Sequence, residues 1–341
     1  MGVAFLVVLA GFSVNYGVDP YSVFGSKLFP EYGQPQERYL KIEWLKKHPD
    51  YNTILLGSSR IGVVNVDDIN EYVKGVNAYN LSISQANQWD VEMHIGWLVK
   101  NMPQLSHIIV QIDWPSSYGS DRPGYALLDE IHPDISGRNN YSFLIDYLTL
   151  FNLEGLNTKI NNNKLTLDRL KYDMDKGYWS RPFRDQKIVE NCIIYRNNES
   201  SFKPENHRVS ETKLTTINNN VDAIKRYKKL LTDKNIKLTL MLTPINHLML
   251  DEIEYSDLAY FINQLVGVSD FYNFMYYNKI TNNDCNYYES SHYRPLVGKE
   301  IIRTLFENSS ADSEIYSYVT PSTIIPHLNF LKALFSQERV R

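Results

Sequence analysis

The chain has 341 residues, a formal net charge of -4 at pH 7 and a hydrophobic content of 43%. This length can bury a large core in one domain or two, and the composition is that of a globular protein. Because the charge is weakly negative and no long basic stretch occurs, the sequence argues against a nucleic-acid partner. The 25 tyrosines and 5 tryptophans fit either stacking platforms for sugar rings or ordinary core filling.

The first eighteen residues carry no charge, and residues 3–14 are almost entirely apolar. This run is shorter than the ~20 residues needed to span a bilayer, and it lacks the basic leader of a secretory signal. Two interpretations stay open: a membrane anchor or signal-anchor remnant over residues 1–18, or a buried first element. We favour the anchor because the run precedes the first predicted strand. An extracytoplasmic, membrane-anchored location at the cell envelope would follow.

Short apolar runs alternate with amphipathic segments along most of the chain. Strands are predicted at 53–56, 76–83, 107–113, 236–242 and 268–271. Helices are predicted at 36–47, 66–74, 85–101, 215–234 and 256–266, with a further one opened by Pro295. Strands alternating with helices indicate βαβ units and a parallel sheet. The predicted fold class is therefore α/β, a three-layer α/β/α sandwich with about five, mostly parallel strands.

Two regions depart from this alternation. Residues 114–213 are rich in asparagine, tyrosine, proline and glycine, and we interpret them as a long insertion that serves as a lid or acceptor-binding region. The insertion is too long for a structureless loop, and helices are predicted within it at 142–153 and 165–173. Residues 307–341 form a predicted helical tail, whose amphipathic stretch 323–335 would pack on the core or lie on a membrane.

Two short motifs contain the side chains of a nucleophilic site. The run 53–62 is an apolar strand that ends in Gly57-Ser58-Ser59, and sites in parallel sheets collect at such carboxyl ends. Far along the chain, Glu289 and His292 stand three positions apart and offer an acid and a base. A histidine activates a serine hydroxyl, and a carboxylate orients the imidazole. The competing interpretation of Ser59 is a helix N-cap, a role that serine often takes.

Neighbouring polar residues have two interpretations each. Arg60 and Arg294 would bind an anionic substrate or form structural salt bridges, and the salt bridge is favoured for Arg60. Asp113 at the end of a strand would touch substrate or hold a loop. His247 lies near the same predicted edge, where a structural role is favoured over catalysis.

Cysteine and histidine spacing bears on covalent links and metals. Cys192 and Cys285 allow one disulfide, which the sequence by itself does not establish. Since no CxxC pair or Cys/His cluster has ligand spacing, we expect no metal centre, and we expect no cofactor.

The order of these elements resembles the SGNH (GDSL-type) hydrolase superfamily across residues 15–306. Gly57-Ser58-Ser59 matches its first block, which makes Ser59 the implied nucleophile, and Glu289 to His292 matches its Asp-x-x-His block with glutamate for aspartate. The resemblance implies domain limits of 19–306 and an oxyanion hole formed by the amides of Ser59 and Gln85. Bacterial envelope members of this superfamily include relatives of polysaccharide O-acetyltransferases.

Two departures from the family pattern bear on catalysis. Gln85 stands where the second block has glycine, although a backbone amide would still donate there. The third block normally supplies an asparagine side chain, and residues 112–116 contain none; Ser116 is a candidate substitute. Loss of one oxyanion donor costs on the order of 3 kcal/mol.

The resulting expectation is a serine-dependent acyl-ester enzyme of the bacterial envelope, acting as an esterase or O-acyltransferase on a polysaccharide or another acylated small substrate. A membrane acyltransferase is a candidate partner. The main alternative is a non-catalytic SGNH-like envelope protein that binds polysaccharide or a biosynthesis partner. A cytoplasmic thioesterase-like enzyme is disfavoured by the apolar start.

Overall fold

A computed structural model describes residues 2–19, 21–26, 36–115, 131–149, 170–208, 212–307 and 314–338. The helices are α1 (Gly2–Val18), α2 (Glu37–Lys47), α3 (Gln88–Asn101), α4 (Pro133–Ser136), α5 (Asn140–Thr149), α6 (Pro182–Asn198), α7 (Leu214–Asp233), α8 (His247–Leu250), α9 (Tyr255–Val266), α10 (Pro295–Phe306) and α11 (Ile324–Glu338). The strands are β1 (Thr53–Gly57), β2 (Ala78–Ser82), β3 (His107–Ile112), β4 (Lys171–Asp173), β5 (Tyr178–Ser180), β6 (Lys237–Leu242), β7 (Phe271–Asn273), β8 (Tyr287–Glu289), β9 (His292–Tyr293) and β10 (Ser317–Val319). Short 3-10 turns include Ser59–Val63 and Val66–Glu71.

The central sheet has six strands in the order β10-β7-β6-β3-β1-β2. Five of them are parallel, and β10 pairs antiparallel with β7 at one edge. Numbered among themselves, the parallel strands run 2-1-3-4-5, so the direction of winding reverses between β1 and β3. Such a reversal opens a crevice at the carboxyl ends of the two strands, where α/β proteins bind ligands. The run that ends in Ser59 leaves the sheet at this point.

Both faces of the sheet are covered. All five residues of β1 are buried, as expected for a central parallel strand. Ile54 and Leu56 face a cluster that includes apolar residues of α3, α7, α9 and α11. Leu55 faces a second cluster with residues of α10 and the Ser59–Val63 turn. The chain is therefore an α/β protein with helices on both faces of a mostly parallel sheet, consistent with three layers.

The C-terminal tail contributes more to this core than we expected. The prediction of about five strands missed β10, which has three residues and pairs on one side only. A strand this short has too few residues to display an alternating pattern. Beyond it, α11 buries His327, Leu331 and Phe335 and packs on α9. The stretch 323–335 thus lies on the core.

The described parts of the insertion are structured. Helix α5 begins two residues before the predicted helix 142–153, whose residues 150–153 lie outside the described part. The predicted helix at 165–173 is wrong at 171–173, which form β4 of a two-stranded hairpin with β5; residues 165–169 are not described. Gly177 allows the hairpin turn because its φ of +73° lies in the left-handed region.

Helix α1 covers most of the apolar N-terminal run. Its C-terminal end packs near α5, where the Asn15 amide donates to the Leu148 carbonyl at 2.5 Å and Val18 is buried. Among the described residues, no helix combines the length and apolar character that a membrane crossing requires.

Candidate active site

The turn after β1 places Ser59 at the open crevice. Ser58 caps the 3-10 turn, since its Oγ accepts the Arg60 amide at 3.3 Å, so the capping role considered for Ser59 belongs to its neighbour. The Ser58 amide donates to Gln111 Oε1 at 3.2 Å. Gly57 is required for this close approach, because a Cβ there would lie 2.6 Å from the same Gln111 oxygen. Ser59 is half-buried, and its side chain does not take part in this cap.

The hydroxyl of Ser59 contacts the imidazole of His292. Ser59 Oγ lies 2.7 Å from His292 Nε2, although the two residues are 233 positions apart. On the other side of the ring, His292 Nδ1 contacts Glu289 Oε1. Glu289 and His292 face each other across the β8–β9 hairpin, which explains their spacing of three. With Nδ1–H donating to Glu289, Nε2 is the nitrogen that accepts the serine proton. The three side chains form a Ser–His–Glu series.

Ser291 contacts both the carboxylate and the imidazole of this series. Its hydroxyl donates to Glu289 Oε1 at 3.2 Å and lies 2.9 Å from His292 Nδ1. The imidazole is not sealed in, since 21% of its side chain is exposed. A substrate can therefore reach the hydroxyl–imidazole pair from solvent.

The electrostatics keep the acid ionised. Burial raises the pKa of Glu289, but His292 and the guanidinium groups of Arg181 and Arg184 outweigh it and hold that pKa below its ordinary value. Arg184 lies 3.4 Å from Glu289 Oε2, the oxygen that does not contact the imidazole. A carboxylate at neutral pH can stabilise the imidazolium that forms when histidine accepts a proton.

The amides of Ser59 and Gln85 lie on adjoining turns. Gly57 and Ser82 are opposite in the β1–β2 register, and the Ile83 amide donates to the Gly57 carbonyl at 2.9 Å. Gln85 has φ +57°, a left-handed conformation that costs roughly 1–2 kcal/mol for a residue with a Cβ. Within the described part of the chain, no protein acceptor takes either amide hydrogen.

Arg60 and Asp113 bind each other at the edge of the site. Arg60 Nη1 lies 2.8 Å from Asp113 Oδ1, and the two side chains are 3% and 9% exposed. Arg60 Nε donates to the Ser291 carbonyl at 3.0 Å, and Gln111 Nε2 donates to Asp113 at 2.5 Å. These contacts join the turn after β1, the end of β3 and the loop between Glu289 and His292. Their geometry is that of structural contacts. Ser116 lies outside the described residues.

Arg294 and His247 are also held by protein partners. Arg294 donates to Asp185 Oδ1 at 2.7 Å and to the Cys285 carbonyl at 2.8 Å, and it is buried. His247 Nε2 lies 3.2 Å from Asp284 Oδ1. Among the described residues, neither side chain forms a hydrogen bond with Ser59 or His292. These contacts hold the β8–β9 hairpin in place.

A disulfide joins the insertion to the site. Cys192 of α6 is bonded to Cys285, which precedes β8, with a Cα–Cα distance of 5.7 Å. The pairing that the sequence left open is thus formed. It ties α6 to the segment that leads to Glu289. The insertion is therefore covalently attached beside the acid and base.

Trp179 was not predicted from the sequence. Its ring meets the imidazole of His292 edge-on, with centroids 5.8 Å apart, and Arg181 lies over the indole at 5.7 Å. Trp179 belongs to β5 of the insertion hairpin and is buried. Tyr178, Trp179 and Ser180 are too few residues to indicate a strand, and no local signal indicates contact with a distant histidine.

Gly62 makes room for Trp179. A Cβ on Gly62 would lie 2.0 Å from Trp179 Nε1, so we expect Gly62→Ala to displace the indole and to lower stability by about 1–3 kcal/mol. Any activity that depends on His292 should fall with it. Chemical denaturation measures the first effect and ester hydrolysis the second.

Gly96→Ala is the matched control, because no heavy atom lies within 4 Å of the added carbon and the residue is in helix α3. It should keep or raise stability. An unfolding midpoint unchanged by Gly62→Ala would contradict the assigned contact.

One cluster of side chains that could ligate a metal ion occurs among the described residues. Glu43, His132 and Asp134 offer ligand atoms close to one another. Lys46 Nζ lies 2.7 Å from Glu43 and 2.8 Å from Asp134, so one ammonium already pairs with both carboxylates. We assign no metal to this cluster. It also contributes no contact to the Ser59 site.

No protein-family model matches the chain, and no curated protein has a significant match.

Proposed function

We propose that this protein is a serine-dependent acyl-ester enzyme of the SGNH type. Ser59 attacks the acyl carbonyl, His292 accepts its proton through Nε2, and Glu289 orients and stabilises the imidazolium. His292 then returns the proton to the departing alkoxide. Water or a sugar hydroxyl then attacks the acyl-enzyme and gives its proton to His292. The bond between Ser59 Oγ and the acyl carbon breaks, His292 returns the proton to Ser59, and the acyl group leaves as an acid or a new ester. The observation that carries the proposal is the 2.7 Å contact between Ser59 Oγ and His292 Nε2, with Glu289 on the opposite nitrogen.

The proposed setting is the bacterial cell envelope, and the proposed substrate is an O-acetylated polysaccharide or its acceptor hydroxyls. A disulfide supports an oxidising compartment, where such bonds persist. Attachment to the membrane through the N-terminal run, and a membrane acyltransferase as donor of the acyl group, belong to the same proposal. The resemblance of the two motifs to SGNH blocks supports the chemistry.

Covalent labelling with a fluorophosphonate tests the nucleophile, since the reagent phosphonylates an activated serine. Peptide mapping should find one modification, at Ser59, and the Ser59→Ala variant should remain unlabelled. Ser58→Ala is the matched control: the neighbouring hydroxyl accepts the Arg60 amide and donates to Gln111 Oε1 at 3.5 Å rather than meeting His292, so labelling should persist. Absence of label in the wild-type protein would remove the enzymatic proposal. Ester release with and without added polysaccharide then separates hydrolysis from transfer.

A non-catalytic polysaccharide-binding protein is the second candidate. It is favoured by the end of β3, where Asp113 is engaged by Arg60 and residues 112–116 contain no asparagine to serve as a third oxyanion donor. This candidate predicts polysaccharide binding that Ser59→Ala leaves unchanged, together with no fluorophosphonate label. The two candidates therefore differ in a single labelling experiment.

A further inference from the structure

Helix α2 carries a buried pair of charges beneath the Gln85 turn. Glu37 and Lys41 stand one helical turn apart with Nζ and Oε1 separated by 3.6 Å, and their side chains are 3% and 0% exposed. A glutamate four residues before a lysine ordinarily marks a solvated helix face. Side chains of this kind are almost never fully buried unless they are paired. Their contacts therefore need a specific explanation.

Lys41 joins three parts of the fold. Its Nζ donates to the carbonyls of Ser82 and Gly177, each at 2.7 Å, and to Ser82 Oγ at 2.9 Å. Ser82 ends β2, and Gly177 forms the turn of the hairpin that carries Trp179. Burial lowers the pKa of Lys41, and the carboxylate of Glu37 opposes that shift. The ammonium thus holds the oxyanion side and the Trp179 side of the site to one helix.

Glu37 holds the residue directly before Gln85. Its Oε2 accepts the Ser84 amide at 3.0 Å and the Ser84 hydroxyl at 2.8 Å. Gln85 itself has φ +57°, a strained conformation for a residue with a side chain. Strained residues persist where the surroundings over-determine them, and they concentrate at functional sites. The two bonds to Ser84 supply this constraint.

We propose that Glu37, supported by Lys41, is a positioning residue that holds the Ser84–Gln85 turn so that the Gln85 amide donates to the oxyanion. This inference rests on the proposed function. Donors that are fixed in advance stabilise charge that develops only in the transition state. A misplaced Gln85 amide therefore lowers kcat and leaves KM nearly unchanged.

Steady-state hydrolysis of p-nitrophenyl acetate by the full chain tests this role. Complete loss of an oxyanion donor lowers kcat by about 10²–10³, so Glu37→Ala, which loosens the turn, should lower kcat by about 10- to 100-fold with KM within about twofold. Glu37→Gln keeps an oxygen that accepts the Ser84 amide and should recover most of the lost kcat. Arg38→Met is the matched control on the same helix: it breaks an equally buried pair, in which Arg38 donates to Asp90 at 2.7 Å. It should lower the unfolding midpoint while kcat is retained.

The outcomes separate the positioning role from a general structural one. The inference is overturned if kcat follows the unfolding midpoint across all three variants, or if Glu37→Ala retains the wild-type kcat. In either case, hydrolysis that still depends on Ser59 leaves the proposed function standing. If Glu37→Ala fails to fold, Glu37→Asp withdraws the carboxylate by one methylene and should still lower kcat; unchanged kcat there also overturns it. A wild-type protein with no Ser59-dependent turnover overturns both proposals.

Discussion

Replacing His292 with alanine is expected to lower kcat for ester turnover by about 10⁴–10⁶, because the Ser59 hydroxyl then has no base. Ser59→Ala should cost as much, and the Ser59→Ala/His292→Ala double variant should lose nothing further. This non-additivity is diagnostic, since the two side chains act through a single hydrogen bond of 2.7 Å. Glu289→Gln should lower kcat by about 10⁴, since an amide no longer selects the required imidazole tautomer.

His247→Ala is the control for that series. His247 is likewise paired with a carboxylate, Asp284 at 3.2 Å, but it has no recorded contact with Ser59 among the described residues. Its removal should change kcat only a few-fold. Comparable losses for His247→Ala and His292→Ala, or wild-type turnover in His292→Ala, would contradict the assigned roles. Burst-phase measurement of acyl-enzyme formation gives the most direct readout.

The second large effect concerns stability. Asp113→Ala removes the carboxylate that pairs with the nearly inaccessible guanidinium of Arg60, and breaking one side of a buried ion pair costs about 3–5 kcal/mol. The free energy of unfolding, extrapolated from denaturant titrations, measures this loss. Ester turnover should fall as well, because Arg60 also donates to the Ser291 carbonyl beside His292.

An exposed ion pair provides the comparison. Asp222 and Lys225 lie 3.1 Å apart on α7 with side chains more than half exposed, and such pairs contribute about 0–1 kcal/mol. Asp222→Ala should therefore leave the free energy of unfolding almost unchanged. If Asp113→Ala is equally mild, the contacts between Arg60, Asp113 and Ser291 do not hold the loops together.

Four of the six strands of the central sheet were predictable because their signal is local. Strands β1, β2, β3 and β6 lie within two residues of the predicted bounds, since a buried parallel strand is a continuous apolar run. The same applies to α7 and α9, whose apolar stripes recur at helical spacing. Predictions failed where elements are short: β4 was taken for part of a helix and β10 was missed. Three residues do not establish a period.

Buried polar residues were the least predictable part of the site. The spacing of Glu37 and Lys41 is that of an exposed helical pair, and Trp179 lies in a stretch with little periodicity. Their environments come from segments that are distant in sequence: Lys41 contacts Gly177, and Trp179 contacts His292. The sequence pattern of one segment does not indicate which distant segment will pack against it.

The sequence by itself determined the alternation of strands and helices, the hydroxyl at the end of β1, and the acid and base three residues apart. These features depend on neighbouring residues, whose spacing is set by backbone geometry. The tertiary structure alone decided that Ser59 meets His292 across 233 positions, that Arg60 pairs with Asp113, and that a buried carboxylate underlies the Gln85 turn. The reason is physical: the sheet order and the packing of both its faces bring these segments together, and both depend on contacts throughout the chain.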